Sequence, residues 1–254
     1  MRIVHENIRA AGSGCGPVDP ERVRQSRMAE IQFLGAIRKR SDLSFAQFSD
    51  HWLRVHRALM LPLVHAGYLT GYVQNLRITA SIPGLESDLD GAPELSIRDD
   101  CAFSTMIHHE NFVEANEIDT PRFVAMPAAA SVVLRAGRTQ ANAAHQASGA
   151  KLMLFVHAID GARECLQRVW QESPAPIVMP HAQPVRVLRV TATPATDAPY
   201  FGCESSWWED VDALATAWAT RLAPAAMNAL GIASMWVLSA EEHVVVASDR
   251  PPLR

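Results

Sequence analysis

The chain has 254 residues, of which 48% are hydrophobic and 20% charged, so a sizeable core is affordable and wholesale disorder is disfavoured. A net charge of −4 and an isoelectric point near 6.2 argue against a surface for nucleic acid or anionic membrane, and no basic stripe offsets them. Cys15, Cys101, Cys165 and Cys203 lack C-x-x-C pairing, which fits a reduced, cytoplasmic setting. No segment reaches the roughly 18 consecutive apolar residues of a membrane span.

Residues 1–29 mix Gly, Pro, Ser and charges without a period and read as a loose leader. Met28 stands just before the first regular element, so a later start site is one reading and a short arm packing on a neighbour is another. The apolar run Ile31–Ile37 predicts a strand buried on both faces, and a helix follows from Ser44. The run from Gly71, "GYVQNLRITA", is β-branched and aromatic and predicts a second strand. "SIPGLESDLDGAPE" supplies Pro, Gly and Asp for a surface loop, and Cys101–His109 is expected as a third strand. A helical segment broken by Pro121 and Pro127 and a strand from Ser131 complete a β–α–β–β–α–β order over residues 30–139, the ferredoxin-like unit.

Residues 140–150 are small and polar and suit a linker. The order then restarts over residues 151–254. Strands are predicted from Lys151, Val185 and Tyr200, helices from Ala162 and from Val211 to Gly231, and "ASMWVLSA" with "HVVVAS" closes the unit. One such sheet leaves a face bare, and two can pack those faces together. The expected fold is therefore α+β, with tandem ferredoxin-like units forming a dimeric α/β barrel within one chain. Further pairing into a homodimer of tandem chains stays open.

The helix from Ser44 carries the chemistry. At 100° per residue, Phe45, Phe48, Trp52, Val55 and Leu59 fall within about 80° of one another, and His56 lies beside them, about 40° from Trp52. An inward imidazole must find a hydrogen-bond partner. It is either a core histidine satisfied by a backbone carbonyl or Tyr72, or an acid/base group. His51 lies about 140° from His56 on an α-helix, too far round for both to bind one ion as an i, i+4 pair does. His108 and His109 are expected to point to opposite faces of a strand. No ligand spacing predicts a metal, no Gly-rich loop predicts a nucleotide, and no G-x-S-x-G turn predicts a serine nucleophile. Trp207 and Trp208, adjacent on a strand, are expected to pack on its two faces, as core rather than as a ligand box.

The residues "RKRSDLSFAQF", "SDHWLRVHRALM" and "GYVQN" resemble the EthD family, with Phe48, Trp52 and His56 matching its helix motif and Tyr72, Gln74 and Asn75 its second strand. The resemblance covers residues 30–135 and implies a dimeric α/β barrel. It further implies a small hydrophobic, oxygenated substrate, cyclic or aromatic, handled without a bound cofactor. Family activities range over isomerisation, dehydration or lyase chemistry and a loose grouping with oxidoreductases. His56 and Tyr72 are then the candidate catalytic residues, Trp52, Asn75 and His51 candidate substrate-binding residues, and Asp100 and His108 secondary ones. A non-catalytic binding or accessory protein for an oxygenase pathway, or a barrel with no ligand space, are the alternatives. Aligning the second unit puts Leu166 at Trp52 and Trp170 at His56, so one functional cleft per chain is expected.

Overall fold

The computed structural model describes residues 31–126, 131–141, 149–173, 175–192 and 200–246. The leader 1–29 and most of the linker, residues 142–148, lie outside them. The chain runs β1 (Ile31–Gly35), α1 (Phe45–Asp50), a π-helical turn (His51–His56), α2 (Arg57–His65), β2 (Leu69–Arg77), β3 (Gly91–Ile97), α3 (Asp100–Met106) and α4 (Glu110–Val113). A second π-turn (Glu114–Asp119), α5 (Thr120–Phe123) and β4 (Ser131–Ala141) end the first half. The second half is β5 (Ala150–Ala158), α6 (Arg163–Glu172), β6 (Arg186–Ala192), β7 (Gly202–Trp208), α7 (Val211–Trp218), α8 (Pro224–Ala229) and β8 (Ile232–Val246).

The strands close into an antiparallel barrel in the order β1-β3-β2-β8-β5-β7-β6-β4, with β4 pairing back onto β1. Each half contributes four neighbouring strands, and the halves meet at two seams, β2 with β8 and β4 with β6. Closure leaves no free sheet edge among these strands. Side chains alternate between the lumen and the outer layer under the helices. Leu34, Ala92, Met153, Phe155, Cys203, Trp207 and Leu238 form one cluster, while Tyr72, Leu95 and Ile97 pack in another with Met60 and Leu63 of α2. Trp207 and Trp208 do separate, into the inner and outer clusters.

Two expected elements are corrected. Residues 101–109 are not a strand: Asp99 caps a helix by accepting from Ala102 N at 2.7 Å, and Ala102 and Met106, four apart, are buried. The third strand is instead Gly91–Ile97, whose start falls in the stretch read as a loop. Its inward positions, Ala92, Glu94 and Ser96, are small or polar because the lumen there is polar, and this masks the period-2 signal. The long helix expected over 211–231 is two helices, the second starting at Pro224, which lacks the N–H an interior helix position would need.

Candidate functional site

Helix α1 starts where Ser44 Oγ accepts from Gln47 N at 3.2 Å and Gln47 Oε1 accepts from Ser44 N at 2.8 Å, a reciprocal cap. From there one line of side chains is buried: Phe48, Trp52, His56, Met60 and Leu63. The Trp52 ring lies so close to Gly91 that a Cβ there would sit 2.3 Å from it, so only glycine fits under the ring. The expected apolar stripe fails at Val55, which is 46% exposed. The cause is the π-turn: its hydrogen bonds close over five residues, as Arg57 N donating to Trp52 O shows, so each residue advances less around the axis. Val55 swings outward, His56 stays inward, and His51, five residues earlier, comes round to the same side.

Both histidines then reach one carboxylate. His51 Nε2 is 2.9 Å from Asp119 Oδ1, and His56 Nδ1 is 3.1 Å from Asp119 Oδ2. Asp119 ends the second π-turn, where Thr120 Oγ1 donates to Ala115 O at 2.9 Å, and it is only 1% exposed. Phe123, one turn on, stacks on His51 at 4.9 Å and tilts against His56 at 5.1 Å. Arg122 Nη1 stands 3.8 Å from Oδ1 at the outer edge. Burial alone would raise the pKa of Asp119, but the hydrogen bonds from His56 and His51 outweigh it and hold the carboxyl below its ordinary value. An ionised carboxylate only accepts, so His56 Nδ1 and His51 Nε2 are the N–H donors. The other nitrogens, His56 Nε2 and His51 Nδ1, are left to act on something else. His51 is a quarter exposed and is the solvent-side member; His56, 7% exposed, is the deep one.

The structure separates the other candidates. Tyr72 shares the helix-facing side of β2 with Gln74, but its buried hydroxyl makes no hydrogen bond among the described residues, and burial pushes its pKa up. Gln74, fully buried, donates to Trp52 O at 2.8 Å and accepts from Arg57 Nε at 3.3 Å. Asn75 points the opposite way, into the lumen, donating to Ala92 O and Glu94 Oε1 at 2.8 Å each, so it does not share a pocket with His56. His108 is exposed in the turn after α3 rather than on a strand, and Asp100 begins that helix, its side chain outside the described residues. Asp119 and Phe123 escape the sequence reading, and Gln74 enters it only as a motif match without a role. The signal for Asp119, an acid two residues before Pro121 in a segment facing the histidines, has meaning only once both π-turns are known.

The lumen holds a second polar cluster. Lys151, buried, donates to Asn75 Oδ1 at 3.0 Å, to Glu242 Oε1 at 2.9 Å and, by a shorter contact, to Glu94, and its Nζ lies 4.4 Å over the Trp207 ring. Desolvation would lower its pKa, yet the two glutamates raise it above the ordinary lysine value. The adjoining cavity, lined by Gln32, Glu94, Ser96 and Ser205 among others, has about 30 Å³, room for about one water and not for a substrate. In the second half, Trp170 is buried on α6, packed edge-on against Phe201 at 5.3 Å, and Ile177, Val178 and Met179 fill the core beside it. Among the described residues, no group of three metal-ligating side chains occurs and no helix is long and apolar enough to cross a membrane.

No family model matches the chain, and no curated protein matches it. Solved structures do. A candidate monooxygenase from Fusobacterium nucleatum subsp. nucleatum superposes with a TM-score of 0.51 at 10% identity, over 85% of this chain and 94% of that one. An anthrone oxidase-like protein superposes at 0.53 and 10% identity, over 86% of this chain and 94% of that one. The chain has the dimeric α/β barrel fold. At this identity the likeness speaks for the barrel alone. Within that barrel the histidine–aspartate cluster lies outside the strand wall, between it and the segments carrying the π-turns.

Proposed function

We propose that the protein is an EthD-like enzyme of small-molecule oxidative catabolism or secondary metabolism, built from two tandem ferredoxin-like units of which only the first keeps a reactive site. The β–α–β–β–α–β order of each half, with strand orders β4-β1-β3-β2 and β8-β5-β7-β6, supports the tandem reading. The observation that carries the functional reading is the pair of histidines on one buried carboxylate. Asp119 fixes the tautomer and orientation of His56, which leaves Nε2 to take a proton from a small cyclic or aromatic oxygenated substrate and to return it. His51 shares the same carboxylate on the solvent side and exchanges the proton with water. Isomerisation, dehydration and lyase chemistry all start from such a step. So does oxidation of an acidic C–H or phenol, since the electron-rich anion it leaves is what dioxygen attacks, and the names of the two superposed structures given above favour that oxidoreductase branch.

The test is a turnover screen with small phenolic and cyclic carbonyl compounds, with and without oxygen. H56A is expected to lower kcat by about 10²–10⁴-fold, the range for removing a general acid or base. Full turnover by folded H56A overturns the proton-transfer reading and favours the carrier or accessory alternative. Oxygen consumption in step with turnover selects the oxidative branch.

A further inference from the structure

The shared carboxylate depends on the π-turn, and an isolated helix does not choose that geometry. On a regular α-helix His51 and His56 stand about 140° apart, and both could not reach Asp119. π-turns are rare insertions that persist where tertiary contacts over-determine them. The residue in a position to do this is Gln74. It sits on β2, outside the histidine–aspartate cluster, yet its side chain crosses to the helix and donates to Trp52 O at 2.8 Å. That carbonyl is also the acceptor of the five-residue bond from Arg57 N that defines the turn. The other end of the same amide accepts from Arg57 Nε at 3.3 Å. A carbonyl can only accept and the guanidinium can only donate, so these two partners fix the amide's orientation without ambiguity. Both residues of the defining bond are thus gripped by one fully buried side chain.

We propose that Gln74 is a positioning residue: anchored in the barrel wall, it holds the π-turn in the register that places His51 and His56 on one carboxylate. It touches neither histidine and acts through Trp52 and Arg57. The proposal deepens the functional reading above and rests on it for its catalytic meaning, but its geometric content can be measured without a substrate.

The experiment follows the imidazole nitrogens by long-range proton–nitrogen NMR on the full chain, comparing wild type with Q74M, which keeps the volume and removes the donor. Wild type is expected to show His56 protonated at Nδ1 with slow exchange of that proton. In folded Q74M that tautomer is expected to mix with the other and the proton to exchange at least about tenfold faster, the worth of one buried hydrogen bond. Folded Q74M with wild-type ring signals and exchange overturns the proposal. If Q74M fails to fold, R57M, altered at a half-exposed position, frees the other end of the amide and is expected to speed exchange severalfold; unchanged rings in R57M overturn the proposal as well. Turnover by H56A decides the functional reading separately. If H56A stays active while Q74M releases the rings, Gln74 still positions the histidines and only the assigned chemistry falls.

Discussion

Asp119 is the residue on which the candidate site turns, and its burial gives it a measurable signature. Its carboxyl is held below its ordinary value, so by linkage it stabilises the fold fully above the unfolded value near pH 3.9, and that stabilisation is lost as pH falls through the lower folded value. D119N offers an amide where two N–H groups expect an anion. It is expected to cost about 1.5–3 kcal/mol in urea unfolding at pH 7, the range for hydrogen bonds to a charged group, and to flatten the acid limb of the stability profile. An acid limb unchanged in D119N would show that the pair of histidine contacts contributes nothing to folding. The same substitution removes the feature that fixes the His56 tautomer, so activity and stability at neutral pH are expected to fall together.

At the scale of elements, the two π-turns explain both what the sequence disclosed and what it withheld. Apolar spacing suffices to find the helix from Ser44 and to turn Trp52 and His56 inward. It misplaces Val55 and separates His51 from His56, because an α-helical wheel assumes a constant advance per residue, and the carbonyl at which that advance breaks, Trp52 O, also accepts from Gln74 on another element. Strand β3 was hidden for a related reason: Glu94 and Ser96 face a polar lumen, and polarity in the sequence looks like solvent. Asn75 was drawn toward His56 by family resemblance, while strand alternation sends it the other way. Packing of the turn on the sheet is tight enough to test. G91A would drive a Cβ to 2.3 Å from the Trp52 ring, whose burial gives it nowhere to go, and is expected to cost about 1–3 kcal/mol and to shift tryptophan fluorescence.

Across the whole molecule, closure of the barrel makes each half complete the other. Residues 31–141 alone would expose β2 and β4, the strands that pair with β8 and β6, and that fragment is expected to associate or aggregate on gel filtration rather than run as a monomer. Lys151 ties the halves within the lumen, since Asn75 and Glu94 come from the first and Glu242 from the second. K151M leaves two carboxylates facing each other without a cation and is expected to cost about 3–5 kcal/mol by denaturant titration. With its pKa raised, Lys151 contributes stability that is fully present below the unfolded value near 10.4 and is lost as pH rises through the folded value, so K151M is also expected to blunt alkaline unfolding. Strand β2 joins these two polar systems, with Gln74 serving the helix side and its neighbour Asn75 serving the lumen. A one-residue slip of β2 would turn Gln74 to the lumen and Asn75 to the helix side, which makes β2 a segment whose composition can drift during evolution while its length cannot.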